Sequence, residues 1–345
     1  MRTFVMSNIS KDSFLGLALF AAVFLALGKV GDSAVLNNGF SVPQDKMTSS
    51  FAFLIVGSWI GSILGFPFAF IAGKRFIDKD FSGLELKSVL FHKWALISGL
   101  FGAIFTFFYL WGFLISDPSV VTALLGATIL FLAGYEVKRG KITIRDFLLP
   151  AFLVLIGNLM ASYTGNGKFT FFSILIVGVL ASLFNACSKL AFQKGASIDR
   201  KPDPVNFMVW RFVWFAIVAT PLAFLVSAIF GNVSLLLQLI QEGFFKIGWA
   251  IIILMFVVFI GEGVSNFLLT KNAASSVILA TSIHIPFSYP FTFLGEAIKP
   301  GLYGTPLIND QIVWIVRIIG AIFIAAGIYW LELQRSKENL KVVKI

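Results

Sequence analysis

The chain has 345 residues, of which 58% are apolar and only 13% charged, about half the charge content of an ordinary soluble domain. With a mean hydropathy of +0.91, a water-soluble globule is excluded. The lone Cys187 excludes a disulfide framework and a cysteine-based metal site, and the net charge of +10 acquires meaning only once each charge is placed along the chain.

A bilayer span needs about 20 apolar residues. In chain order such runs lie at 13–30, 50–73, 94–115, 119–135, 147–163, 170–190, 207–229, 247–270, 273–294 and 312–332. Runs this long and this uniformly apolar, without period-2 alternation, read as helices and not as barrel strands, because backbone groups in hydrocarbon must bond within their own segment. The first run reads as a retained span: a polar lead, Met1–Ser13, precedes it, and it ends at Lys29 without a small-residue cleavage site. Single charges stand out within the runs. Arg211 lies in the seventh, Glu262 in the eighth and Arg317 in the tenth, with Lys29 and Lys189 near the ends of the first and sixth. The expected fold class is all-α integral membrane, with ten transmembrane helices.

The basic residues alternate between sides. Twenty of the 27 Lys and Arg fall on the side of the N-terminus, including Lys74, Arg75, Lys79, Lys87 and Lys93 after the second run and Lys138, Arg139, Lys141 and Arg145 after the fourth. Five lie opposite: Lys29, Lys46, Lys168, Lys246 and Lys299. An excess of basic residues in short loops marks the cytoplasmic face. Both termini are therefore expected to be cytoplasmic, the plasma (inner) membrane is the expected location, and the positive charge is a topology signal and no sign of a nucleic-acid partner.

The chain also repeats itself. Phe53, Pro67, Ala69 and Phe70 of the second run recur as Phe207, Pro221, Ala223 and Phe224 of the seventh, at a constant offset of 154. Phe24, Ala26 and Lys29 recur as Phe184, Ala186 and Lys189, and Glu136 after the fourth run recurs as Glu296 after the ninth. Five spans per unit is an odd number, so the second unit, 166–345, enters the membrane from the opposite face to the first, 1–165. The polar stretch Ala196–Asn206, with Pro202 and Pro204, reads as a cytoplasmic linker joining the halves.

This layout resembles the drug/metabolite transporter superfamily, specifically its EamA-like members. The residues that carry the likeness are Pro118-Ser119-Val120-Val121-Thr122-Ala123 running to Gly134-Tyr135-Glu136, and Ala273-Ala274-Ser275-Ser276-Val277-Ile278-Leu279-Ala280 running through Pro286 to Gly295-Glu296, followed by Ile319-Gly320 and Ala326-Gly327. The resemblance implies two five-helix EamA-type repeats with both ends inside, and covers nearly the whole chain. The sequence departs from the family pattern at Ile285, where an acidic residue commonly precedes the proline, and in the fourth span, which lacks that proline.

Candidate site residues follow from polar groups that hydrocarbon would otherwise exclude. His284 lies well inside the ninth run, two positions before Pro286. A proline there frees a backbone carbonyl, and transporters place polar sites at broken helices; a neutral histidine bonded to a neighbouring helix is the alternative, and both stand open. Arg211 and Glu262 are expected to be neighbours, because an isolated charge in hydrocarbon costs about 3 kcal/mol even on the lenient insertion scale. Asn158, Asn185, Ser188, Asn266, Ser282 and Ser288 read as helix–helix hydrogen bonds or ligand contacts, and Trp111, Trp210 and Trp214 as candidate cavity linings. Lys29 and Lys189 are expected to snorkel to the headgroups, Arg317 to reach the outer interface, and Glu136 and Glu296 to act as caps or loop carboxylates. Gly57, Gly61 and Gly65 form a small-residue ridge suited to close or moving helix contacts.

No nucleotide-binding loop, metal-ligand spacing or nucleophile elbow is present, so no cofactor, metal or enzymatic activity is expected. The leading expectation is a secondary transporter or facilitator moving a small metabolite by alternating access between two inverted repeats. An integral-membrane enzyme acting on lipid-linked substrates and a non-transporting scaffold are the alternatives. The expected partners are a small-molecule metabolite and the lipid bilayer, and a homodimer is left open. The charge asymmetry makes a direct prediction: reporters fused after Lys141 and after Arg200 should read cytoplasmic, and one at Asn166 external. The first two on opposite faces would overturn the inverted-repeat reading.

Overall fold

An apolar chain removed from water satisfies its backbone most simply as helix. In the computed structural model, residues 11–40, 45–71, 73, 81, 83–85, 93–140, 143–165, 168–169, 171–196, 204–271, 277, 281, 284–303 and 310–343 are described. Helix α1 spans Lys11–Asn38, α2 Lys46–Phe68 and α3 Lys93–Ile115. Helix α4 runs through Pro118–Leu124, a 3-10 turn and Thr128–Lys138, and α5 through Ile144–Ala161. A short antiparallel pair, β1 Tyr163–Gly165 and β2 Lys168–Phe169, leads into α6, which has a π-helical stretch at Ile174–Ala181 before Ser182–Ala196. Helix α7 is Pro204–Ile229, α8 Gly248–Lys271, α9 His284–Ile298 and α10 Gln311–Val343.

The protein is thus an all-α, multi-pass membrane protein, with corrections to the expected boundaries. Among the described residues nine helical stretches are long and apolar enough to cross a membrane. The predicted run 273–294 is described only at Val277, Thr281 and from His284 onward, and α9 has 15 residues. The stretch before α8, expected as an external loop, contains a helix at Val233–Glu242 that continues through a π-turn into α8. Helix α6 ends at Ala196 and α7 begins at Pro204, and the β1–β2 pair lies between α5 and α6. Finally, α1 does not stop near Lys29 but runs on to Asn38 and so carries Asp32.

Helix contacts follow the small residues. Ala18, Ala21, Ala22 and Ala26 of α1 are fully buried, and α1 packs against α9 and against α8, where Gly28 faces Val258 and Gly31 faces Leu254. In the same way α6 packs against α3 and α4, α2 against α7 and α8, and α3 against α7. Large side chains such as Phe245, Ile229 and Trp249 face outward, at 83%, 71% and 68% exposure, which in water would be a liability and in lipid is the solvated surface.

The tightest pairing is α5 with α10. A Cβ on Gly157 would stand 2.6 Å from the Gly320 carbonyl oxygen, one on Gly320 would stand 2.7 Å from the Gly157 carbonyl oxygen, and one on Gly327 would stand 2.8 Å from that of Pro150. Gly320→Ala should therefore destabilise the protein by about 1–3 kcal/mol, read as a lower midpoint in thermal unfolding of detergent-solubilised protein. Gly134→Ala, whose methyl meets nothing within 4 Å, should unfold at the wild-type midpoint, and equal midpoints for the two variants would contradict the backbone contact.

Candidate functional site

Helices α1, α2, α3, α7 and α8 surround a cavity of about 150 Å³. Its walls are mostly apolar, built from Phe24, Phe53, Phe105, Phe212, Phe215 and Met255. Gly57, the first glycine of the α2 ridge, opens onto this space, with nothing within 4 Å of where a Cβ would stand. The other two ridge glycines meet neighbours: Gly61 faces the Met255 sulfur at 3.2 Å and Gly65 faces Phe259 and Val209. One ridge thus serves packing at one end and leaves room at the other.

Lys29, Asp32, Tyr109, Arg211 and Glu262 also line the cavity. Their placement follows from local structure. Lys29 and Asp32 are three residues apart on α1 and share a face. Arg211 reaches inward because Gly99 lets α3 and α7 approach until a Cβ at Gly99 would be 2.7 Å from that of Trp214. Ser98 and Ser188 exchange hydroxyl-to-carbonyl bonds at 3.0 and 2.9 Å, which sets α6 against α3 and presents Lys189, one turn position further on.

The ionic geometry is unequal. Lys189 Nζ donates to Glu262 Oε2 at 2.5 Å and to Asn266 Oδ1 at 3.4 Å. Arg211 Nη1 stands 3.9 Å from the same carboxylate oxygen, beyond hydrogen-bond reach. Tyr109 Oη donates to Asp32 Oδ2 at 2.9 Å. Lys29 Nζ donates to His284 Nε2 at 2.5 Å, and His284 Nδ1 donates to the Thr281 carbonyl at 2.6 Å. A carbonyl only accepts, so the imidazole proton resides on Nδ1 and Nε2 is left as the acceptor: His284 is the neutral tautomer that a facing ammonium requires. The cluster therefore brings together three basic side chains and two acidic ones.

The structure brings Arg211, Glu262, Asn266 and His284 into one cluster. It places the other sequence-derived candidates elsewhere. Asn185 Nδ2 donates to Thr128 Oγ1 at 3.3 Å, Asn158 is buried away from the cavity with Oδ1 unpaired, and Trp111 packs against Phe107 and Phe172 with ring centroids 5.7 and 5.8 Å away. Trp210 donates its indole N–H to the Glu85 carbonyl at 2.8 Å, and neither it nor Trp214 lines the cavity. Ser288 donates to Ile285 within its own helix, and Ser282 lies outside the described residues.

Three cations do not snorkel as expected. Lys189 is 5% exposed and Arg317 2%, and Lys29 turns into the cavity. Each finds a partner within the bundle, which spares it the reach to the headgroups. For Arg317 the partner is Asp117, at 2.7 Å, with a further bond from Nε to the Tyr163 carbonyl at 2.9 Å. Asp117 also accepts from the N–H groups of Ser119 and Val120 at 3.1 Å, so the Pro118-Ser119-Val120 motif is a capped helix start tied to α10. Glu136 is buried in α4 at 7% exposure, not in a loop. Glu296 accepts from Gly301 N at 2.6 Å, closing the turn after α9. Sequence reasoning missed Asp32, Tyr109 and Asp117. Only Asp32 had a usable signal, its i,i+3 spacing from Lys29.

Among the described residues no group of three or more His, Cys, Asp or Glu converges as metal ligands. What the arrangement offers is an apolar chamber with charged groups in its wall. No protein-family profile and no curated protein matches the chain. A solved structure described as "Crystal structure of protein" aligns at 16% identity with a TM-score of 0.48, covering 94% of this chain and 100% of its own.

Because Lys189 and Arg211 share Glu262, Glu262→Gln leaves two cations without a counter-charge. It should destabilise the protein by about 3 kcal/mol, the low end for a broken buried pair because the Glu262 side chain keeps 24% of its surface open to the cavity. Adding Lys189→Met should recover much of that loss in thermal unfolding. A Glu262→Gln single variant with the wild-type midpoint would mean that the bridge does not hold α6 to α8.

Proposed function

We propose that the protein is a secondary transporter or facilitator of drug/metabolite transporter, EamA-like type, moving a small metabolite by alternating access through the cavity between α1, α2, α3, α7 and α8. The observation that carries this reading is that cavity: a space among apolar helices, fitted with charges that hydrocarbon would otherwise reject. The proposed architecture is ten spans in two inverted units, 1–165 and 166–345, with both termini cytoplasmic and the chain in the plasma membrane.

The pattern of helix contacts supports the two-unit reading. Exchange each helix of α1–α5 for the one five places later, and the packing pairs map onto one another: α1–α8 onto α6–α3, α1–α9 onto α6–α4, and α2–α8 onto α7–α3, while α2–α7 and α5–α10 map onto themselves. Five-helix units related in this way enter the membrane from opposite faces, the arrangement alternating access uses. Lys29 and Lys189, matched at the sequence level, both enter the same ionic cluster.

The test is purified protein in liposomes loaded with a cell-extract metabolite pool, with loss of individual compounds followed by mass spectrometry. Wild type should release a defined subset that protein-free liposomes retain. Gly57→Leu, which fills the cavity from a position with open space, should reduce that release about tenfold or more while its unfolding midpoint stays near wild type. Release by Gly57→Leu at the wild-type rate would remove this cavity from the pathway, and no release by wild type would remove transport.

A further inference from the structure

We propose, resting on the transporter reading, that the cavity takes a small organic monoanion: one carboxylate on an apolar body about the size of a single ring. The inference comes from which charges in the cluster already have partners. Glu262 is bonded at 2.5 Å by Lys189, which lies outside the cavity lining. Asp32 is held by Tyr109. The two cations that line the cavity are left with less. Among the described residues Lys29 bonds only to neutral His284 and has no carboxylate within 4 Å, and Arg211 makes no hydrogen bond, its nearest carboxylate oxygen being 3.9 Å away.

Two features of that arrangement select the ligand. The guanidinium and the ammonium between them present unused N–H donors to one small space, and a carboxylate is the group whose two oxygens accept from both. The cluster of Lys29, Lys189, Arg211, Asp32 and Glu262 has three basic groups against two acidic ones, one basic group in excess. A monoanion brings it to neutrality in a medium where net charge is costly, while a zwitterion leaves the excess and an amine adds to it. The rest of the wall is aromatic and aliphatic, and a cavity of about 150 Å³ is the size that holds a benzene ring. Inorganic phosphate or sulfate would leave those walls unsatisfied.

The test uses purified full-length protein in liposomes loaded with a mixture matched in shape and differing in charge: benzoate and 4-methylpentanoate, benzyl alcohol, benzylamine, phenylalanine and inorganic phosphate. Wild type should release the two carboxylates at least about tenfold faster than the other compounds, Lys29→Gln should lose about tenfold or more of that rate, and Lys29→Arg should keep most of it. Faster release of the amine, the alcohol, phenylalanine or phosphate overturns the assignment and leaves transport standing. Retention of the whole mixture by protein that does release compounds from a cell-extract pool also overturns it. Retention of both mixture and pool removes the transporter reading and this one with it. If Lys29→Gln does not fold, the order of release among the compounds by wild type decides.

Discussion

Charge inside hydrocarbon has to be answered by charge or hydrogen bonds nearby, and the knot of Lys189 and Arg211 around Glu262 is where that requirement shapes the cavity. The bridge ties α6 to α8 at 2.5 Å and draws α7 toward both. Moving such groups from water into a low dielectric costs several kcal/mol per ion, and their attraction repays it only where geometry and extra hydrogen bonds are good. Asn266 supplies one of those bonds to Lys189. Among the described residues Arg211 receives none, and that inequality is what separates a fixed structural bridge from a group still able to engage something else.

The surrounding helices divide the work of stability and space. The α5–α10 pair is zipped backbone to backbone through Gly157, Gly320 and Gly327, a contact that leaves no room for a ligand. The helices around the cavity carry their bulk as aromatic walls, and the α2 ridge changes from packing surface at Gly61 and Gly65 to open wall at Gly57. In a bilayer, where lipid tails are as apolar as leucine, close van der Waals packing of small residues takes over much of what hydrophobic burial does in water. That makes empty volume within the bundle a feature that needs a reason.

A second ion pair answers the same constraint differently. Arg317 and Asp117 sit at 2.7 Å, with Asp117 also capping α4 and Arg317 also bonded to the Tyr163 carbonyl. These groups are engaged with one another and none of them lines the cavity beside Glu262, which fits a locked junction between α10, the start of α4 and the strand after α5. The contrast between this saturated pair and the partly unanswered cations around Glu262 distinguishes a structural use of buried charge from one suited to binding.

Composition and run length by themselves determined that the chain is helical and crosses a membrane many times, because backbone hydrogen bonding in hydrocarbon admits little else. They also determined that Arg211 and Glu262 need partners, since isolated intramembrane charge is too costly. They could not say which partner comes first. Lys189 precedes Arg211 at Glu262, and Lys29 faces His284 and the cavity and not the headgroups, because those choices depend on how α1, α6, α8 and α9 rotate against one another. That rotation is set by contacts such as Ser98 with Ser188, Gly99 with Trp214 and Gly31 with Leu254, between residues far apart in the chain. Asp32 was hidden for a related reason: hydropathy ends a span at the first charge, whereas a helix continues for as long as its polar side chains, here Asp32 with Tyr109, find partners inside the fold.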